Sequence, residues 1–169
     1  HMVFSTLHTN NAAGTIPRLI DLGINPKILT SALTLPIAQR LVRKLCPKCR
    51  EAYEPSTEER DLIQPIIPTI LKKKPNLQLP ELKQIWRPKG CPACNNTGYR
   101  GRQGVFEAII MDDAIAEATL NNPSEKELKI ASIPQGILDM RQDGITKILQ
   151  GITSLEELGR VVDLYEEAI

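Results

Sequence analysis

Four cysteines constrain the fold of this chain more than any other feature, because they form two matching C-P-x-C pairs. The pairs are Cys46-Pro-Lys-Cys49 and Cys91-Pro-Ala-Cys94, and the sequence has no other cysteine. Two residues between thiolates let one tight turn present both sulfurs to a single ion, and proline in the second place presets that turn. Four thiolates are the tetrahedral set of a structural zinc site. We therefore predict Zn²⁺ bound by Cys46, Cys49, Cys91 and Cys94.

Three other roles compete for these cysteines. A disulfide framework is typical of secreted proteins, and nothing marks this chain as secreted. A thioredoxin-type redox pair explains one C-x-x-C and not two. Buried, inert cysteines would not be expected to pair at this spacing. The segment between the pairs is about forty residues long, beyond the 15 to 20 of compact ribbons, so we expect an inserted segment whose ends the metal restrains. Gly90 and Gly98 flank the second pair, where the backbone must turn closely.

Hydrophobic spacing and capping residues predict a mixed α/β fold (α+β within this chain) around the cysteines. The predicted strands are residues 3–9, 37–45 and 104–111. The predicted helices begin after Asn10 or Asn11 and end at Gly23, span 27–35, 114–120 and 135–150, and begin at the caps Ser56, Ser124 and Ser154. The last of these carries an apolar face that continues to Val161, Val162 and Tyr165. The four prolines between residues 65 and 80 predict only short helical turns and loops there.

Composition excludes several classes of function. There are 21 Lys and Arg residues against 20 Asp and Glu, so the net charge is +1, which argues against a strongly basic nucleic-acid arm and an acidic tail. Aromatic residues make up 4%, too few for a base-stacking platform. A zinc module that binds nucleic acid or another protein stays open as the alternative, because basic residues surround the cysteine pairs. They are Arg40, Arg43, Lys44, Lys48, Arg50, Arg100 and Arg102.

No complete active site can be built from this sequence. It contains no G-x-x-x-x-G-K-[ST], no G-x-G-x-x-G and no G-x-S-x-G. His1 and Met2 match the remnant of a cloning site and are set aside. His8 is then the one remaining histidine. It follows a predicted strand and precedes a helix, which in an α/β sheet is the ligand-binding edge, although a solvent-facing loop histidine fits the same position.

Several segments in a specific order resemble the type IV pilus assembly and type II secretion ATPases. Ser5-Thr6-Leu7-His8-Thr9-Asn10 resembles the histidine box of that family, and residues 38–43 resemble the segment before its first cysteine pair. Residues 90–94, 98–102 and 104–107 resemble the second pair and the strand that follows it. Residues 141–144 and 151–157 fit the C-terminal helices of the family.

The resemblance implies a domain organisation. Residues 1–2 are the cloning remnant, 3–45 the C-terminal portion of a RecA-like ATPase domain, 46–102 a zinc-binding tetracysteine module and 103–169 a strand with a C-terminal helical bundle. The phosphate loop and the Walker B acidic residue would lie before Val3, so we expect this fragment alone not to hydrolyse ATP. A truncated parallel sheet would also deprive residues 3–7 of their neighbours, so we expect them to fray, pair abnormally or associate with another copy.

The resemblance further implies what the longer parent does. It would hydrolyse ATP with Mg²⁺ as a cytoplasmic homo-hexamer, peripheral at the inner membrane and not inserted in it. Its partners would be an inner-membrane platform protein and an associated cytoplasmic recruitment protein. Paired cysteines resemble the assembly and secretion enzymes more than the retraction enzymes.

Five residues are candidates for the nucleotide site of the parent. His8 would lie near the γ-phosphate and couple nucleotide state to domain position, with Thr6 and Thr9 as its neighbours. Gln39 and Arg40 are weaker candidates, and Arg40 fits a surface cation equally well. An imidazole and a guanidinium can both stabilise charge on a transferring phosphoryl group.

Overall fold

A computed structural model of the chain describes residues 1–165, so residues 166–169 of the predicted region 103–169 lie outside the described residues. The predicted mixed α/β class is confirmed. The helices are α1 (Thr15–Asp21), α2 (Pro26–Ala32), α3 (Thr57–Ile63), α4 (Ile66–Lys73), α5 (Asp113–Asn121), α6 (Glu125–Ser132), α7 (Met140–Leu149) and α8 (Leu155–Gly159). The strands are β1 (Ile37–Leu45), β2 (Glu51–Tyr53), β3 (Ile85–Arg87) and β4 (Tyr99–Ala108). Within residues 1–165, no helix combines the length and apolar character needed to cross a membrane.

The strands form two separate two-stranded sheets. β1 pairs with β4, and β2 pairs antiparallel with β3, with Ala52 opposite Trp86. The prediction for β1 is confirmed at both ends. The span predicted for β4 is 104–111, but the strand begins earlier, at Tyr99, and ends earlier, at Ala108. The sequence does not predict β2 and β3, because three residues are too few to display an alternating pattern.

The chain divides into two compact units. The first contains residues 1–38 and 107–137, and the second contains residues 39–106 together with the described residues from 138 onward. The predicted segments 3–45, 46–102 and 103–169 are defined in chain order and stay predictions about the parent.

The core of the first unit contains apolar side chains from the turn before α1, from the four helices α1, α2, α5 and α6, and from the residue that follows β4. Its buried side chains are Ala12, Ala13, Ile16, Leu29, Ile109, Ile115 and Leu128. The predicted first helix is confirmed, but it starts at Thr15 because Asn11 Oδ1 accepts the Gly14 N–H and closes a turn first. Gly23, with φ of +88°, follows its end as predicted.

The predicted strand at residues 3–9 is wrong. The structure has neither helix nor strand there, and the Phe4 side chain is 89% exposed. An extended segment becomes a strand by exchanging backbone hydrogen bonds with a neighbour, and no described residue provides that pairing for residues 3–9.

The core of the second unit contains apolar residues from both sheets and from helices α3, α4, α7 and α8. Val42, Ile63, Ile70, Ile85, Val105, Ile145, Ile148 and Leu158 are fully buried there. The capping box predicted at Ser56 and Glu59 is present at the start of α3. Over residues 65–80, where short helical turns and loops are predicted, the structure has one eight-residue helix, α4, followed by loops. Pro68 fits inside α4 because it lies in the first turn, where a backbone N–H would have no partner within the helix.

The C-terminal helices are shorter than predicted. The helix predicted over 135–150 begins at Met140, because Gly136 has a φ of +62° and Asp139 forms a capping box with Gln142. Ser154 caps α8 as predicted, but this helix ends at Gly159. The predicted apolar face at Val161, Val162 and Tyr165 therefore lies beyond α8, and Tyr165 is 79% exposed.

Candidate metal centre

Each cysteine pair lies in a turn that joins a strand of one sheet to a strand of the other. Cys46 and Cys49 lie between β1 and β2, and Cys91 and Cys94 lie between β3 and β4. Because β1 pairs with β4 and β2 pairs with β3, the strand pairings bring the two turns together. The inserted residues between the pairs include β2, α3, α4 and β3.

The sulfur atoms have the spacing of a tetrahedral metal site. The Sγ–Sγ distances are 4.0 Å for Cys46–Cys91, 3.8 Å for Cys49–Cys94 and 3.7 Å for Cys91–Cys94. All four sulfurs lie within 4.8 Å of one another. A tetrahedron with Zn–S bonds of about 2.3 Å has edges of about 3.8 Å, whereas a disulfide would require about 2.0 Å. The four thiols are free, and their arrangement can hold a metal ion.

Two backbone N–H groups donate hydrogen bonds to the Cys94 sulfur. The N–H groups of Cys91 and Gly98 donate to Cys94 Sγ at 3.3 and 3.2 Å. Burial acts to raise the pKa of Cys94, but these two bonds and the neighbouring thiols lower it to about 6. Burial raises the pKa of the Cys49 thiol. The turn therefore favours the thiolate at Cys94, the form that binds metal.

Glycine is required beside the second pair, as predicted. Gly98 has a φ of +75°, and a Cβ placed there would lie 2.4 Å from Pro88 Cβ. Gly90 has a φ of +100°, and a Cβ there would lie 2.7 Å from the Asn96 carbonyl oxygen. The Gly98 carbonyl also accepts the Cys46 N–H at 2.8 Å, which links the two turns directly.

A polar network fastens α8 and the residues just before it to β1. The backbone N–H and the guanidinium of Arg43 both donate to the Glu157 carboxylate, and Thr153 Oγ1 donates to the Arg43 carbonyl at 2.9 Å. The Arg43 guanidinium lies 4.2 Å from the centre of the Tyr99 ring, and the Tyr99 hydroxyl contacts Ser154 Oγ at 2.8 Å. The sequence does not predict this network. β1 also contains Gln39, Arg40 and Lys44, so its pattern does not single out Arg43.

A second arginine also forms bonds within the protein. Arg50 Nη1 donates to the Gly151 carbonyl, and its guanidinium lies 4.3 Å from the centre of the Trp86 ring. Arg43 and Arg50 were two of the basic residues behind the nucleic-acid alternative. Because both are engaged within the protein, the basic surface around the cysteines is smaller than the sequence indicated.

Removing the Glu157 charge is expected to lower stability in a pH-dependent way. Burial raises the pKa of Glu157, but the Arg43 donors outweigh it, so the pKa lies below its ordinary value of 4.5. A depressed pKa contributes stability above the ordinary value, and that contribution is lost as pH falls through the depressed pKa. We expect Glu157→Gln to lower the unfolding free energy by about 1–2 kcal/mol at pH 7. The deficit should shrink below pH 4.5.

Urea unfolding between pH 3.5 and 7 measures this deficit. Glu156→Gln is the matched control, because Glu156 is the preceding residue and is exposed. A constant difference between Glu157→Gln and the unmodified chain across that pH range would contradict the assigned ion pair.

The residues predicted for the nucleotide site lie in both compact units. Thr6 and His8 are exposed in the first unit, and the Thr9 hydroxyl donates to the Asn11 carbonyl at 3.1 Å. Gln39 is exposed and Arg40 half-buried on β1 in the second unit. Their nucleotide roles stay predictions.

The chain matches one protein family and several known proteins over nearly its whole length. Residues 1–160 match the family described as "Type II/IV secretion system protein". The chain is 45% identical to "Type II secretion system protein E" of Aeromonas hydrophila and to "Type II secretion system ATPase E" of Vibrio cholerae, each over 95% of the chain. It is 39% identical to "Type IV pilus assembly ATPase PilB" of Myxococcus xanthus over 94% of the chain. The matches cover 30%, 29% and 26% of these three relatives.

Proposed function

The chain belongs to the type II/IV secretion system protein family, and on this premise we propose that it is the C-terminal part of an ATPase that powers type II secretion or type IV pilus assembly. The observation that carries the proposal is the match of residues 1–160 to the family. Relatives that are named as ATPases align with nearly the whole chain. Because the chain spans under a third of their length, ATP hydrolysis is proposed for the longer protein.

The four cysteines would hold Zn²⁺ in this protein. Four thiolates and a spacing near the edge of a ZnS₄ tetrahedron support zinc over metals that prefer oxygen ligands. When bound, the ion supplies a structural cross-link, since four protein ligands leave no open position for substrate or water. The two cysteine turns of this chain would then hold both ends of the segment between Cys49 and Cys91 where the two sheets meet.

The remaining parts of the proposal concern the longer protein. Residues 3–45 would complete a RecA-like domain, and a P-loop elsewhere in the protein would bind ATP and Mg²⁺. His8, Thr6 and Thr9, with Gln39 and Arg40 as weaker members, would serve that nucleotide site. The working form would be a cytoplasmic homo-hexamer at the inner membrane, bound to a platform protein and a recruitment protein.

His8→Ala in the longer protein is expected to lower ATP turnover while leaving ATP affinity within about twofold. Removing one group that stabilises transition-state charge typically costs 10²–10³ in rate, so a loss of about tenfold or more is expected. Steady-state phosphate release and nucleotide binding measure the two quantities. Lys27→Ala is the control, because Lys27 is an exposed cation in the same unit. Unchanged turnover would refute the role of His8.

A deletion strain tests the proposed function as a whole. Loss of the longer protein should abolish secretion through the type II system or the assembly of type IV pili, and the intact protein should restore it. Loss of secretion with pili retained assigns the type II role, and the reverse assigns the pilus role. A strain with both processes intact would contradict the proposal.

A further inference from the structure

The residues that follow His8 form several hydrogen bonds although they lie outside any helix or strand. We define residues 10–14 as the anchor turn. Asn11 uses its whole amide, because Oδ1 accepts the Gly14 N–H at 2.8 Å and Nδ2 donates to Glu125 Oε1. The Ala12 N–H donates to Glu107 Oε1. Each bond to a carboxylate is charge-assisted and therefore stronger than a neutral one.

Packing adds to these polar contacts. Ala12 and Ala13 are 1% exposed and lie in the core of the first unit, with Ile16, Leu29 and Ile109. Glu107 is near the end of β4, and Glu125 is the first residue of α6, where Lys129 also pairs with it at 3.0 Å. The anchor turn is thus fixed by two separate elements of its own unit.

The hydrogen-bonded segment begins at Thr9, next to His8. Residues 1–7 carry no secondary structure, and all of them except the half-buried Leu7 are exposed. Thr9, directly after His8, donates its hydroxyl to the Asn11 carbonyl at 3.1 Å. His8 is therefore separated from the anchor turn by one residue that is itself bonded to it.

We propose that Asn11 and Glu107 are positioning residues, which fix the anchor turn and through it the place of the His8 imidazole. This inference rests on the proposed function, because it assumes that His8 acts on nucleotide. A displacement of about 1 Å in a group that meets the reacting atoms can cost on the order of 10²-fold in rate. Neither residue needs to touch nucleotide for its loss to lower turnover.

The first arm of the test uses the chain alone and does not depend on ATP. Glu107→Ala removes the acceptor of the Ala12 N–H, so amide hydrogen exchange across residues 9–13 should accelerate about tenfold or more. Glu107→Gln keeps an acceptor oxygen at the same place and should restore most of the protection. Glu117→Ala, an exposed glutamate on α5, is the matched control. Unchanged exchange in Glu107→Ala would overturn the inference.

The second arm measures kcat and KM for ATP in the longer protein. Glu107→Ala should lower kcat about tenfold with KM within about twofold, and Glu107→Gln should recover most of kcat. A purely structural role would instead lower the amount of folded protein and leave the kcat of the folded fraction unchanged. Asn11→Asp provides a second variant that keeps the Gly14 cap acceptor but places a charge beside Glu125. It should lower kcat in the same way.

These outcomes distinguish a failure of the positioning role of Asn11 and Glu107 from a failure of the nucleotide role of His8. Faster exchange with unchanged kcat overturns the positioning role if His8→Ala does lower kcat. If His8→Ala also leaves kcat unchanged, the failure is that of the proposed role of His8, and the positioning role falls with it.

Discussion

Replacing Cys94 with serine is expected to unfold much of the second compact unit while the first unit keeps its helices. Serine supplies no thiolate, so the proposed ion would lose one of its four ligands. Structural Zn²⁺ contributes on the order of 10 kcal/mol in small domains, comparable to the whole stability of a domain. Loss of the ion would release the two turns that join β1 to β2 and β3 to β4.

The loss should extend to α7 and α8, which lie far from the cysteines in sequence. The Leu45 N–H, next to Cys46, donates to the Ile152 carbonyl at 2.8 Å. Arg43 binds Glu157 across 114 residues of sequence, and Arg50 binds the Gly151 carbonyl across 101. These contacts depend on the conformation of β1 and of the first cysteine turn. The amides of α7 and α8 should therefore lose their protection from hydrogen exchange together with those of the two cysteine turns.

Hydrogen exchange read by peptide is the measurement for this result. In Cys94→Ser, or in the unmodified chain after chelation, peptides from residues 42–53, 85–106 and 140–158 should lose protection together. Peptides from residues 15–32 and 113–132 should keep theirs. Ala93→Ser is the matched control, since it places a serine in the same turn and keeps all four sulfurs. Full protection of residues 140–158 after metal removal would contradict the coupling.

Gly98→Ala is expected to have the second largest effect. The new Cβ would lie 2.4 Å from Pro88 Cβ and 2.9 Å from Pro88 Cα, and a proline ring cannot turn away as a flexible side chain does. Relief requires movement of the backbone that donates to Cys94 Sγ and accepts from Cys46. We expect a loss of about 3 kcal/mol or more from combined strain and overpacking. Loss of this support should also weaken zinc binding by about 10–100-fold.

Gly23→Ala isolates the steric part of this effect. Gly23 has a similar left-handed backbone, with φ of +88°, but a Cβ there would meet nothing within 4 Å. It should cost about 1–2 kcal/mol from the backbone alone and leave zinc affinity unchanged. Chemical denaturation and competition with a coloured zinc chelator measure the two quantities. Equal losses in the two variants would show that the Pro88 contact has no energetic role.

The sequence best predicts turns and helix caps, which depend on residues that are close together along the chain. The cysteine spacing identifies the four sulfurs that the structure brings together, and the serine caps place the starts of α3, α6 and α8. These signals are local, because a turn or a cap is completed within a few residues.

The ion pairs and strand pairings that the sequence does not predict depend on residues that are distant in sequence. The Arg43–Glu157 pair leaves no periodic signal, because its members are 114 residues apart. The predicted strand at 3–9 fails for a related reason, since its β-branched and aromatic start favours a strand but no described residue pairs with it. Likewise Pro68 is a helix breaker only where the helix needs its N–H, and the sequence does not say where α4 begins.

Metal content and the local structure around the metal test most directly whether the four cysteines of this chain bind zinc. The chain should be purified under reducing conditions and examined by elemental analysis and zinc X-ray absorption. We expect about one zinc per chain, with four sulfur neighbours at about 2.3 Å. A folded, reduced chain with far less than one zinc, or zinc bound mainly by nitrogen or oxygen, would contradict it.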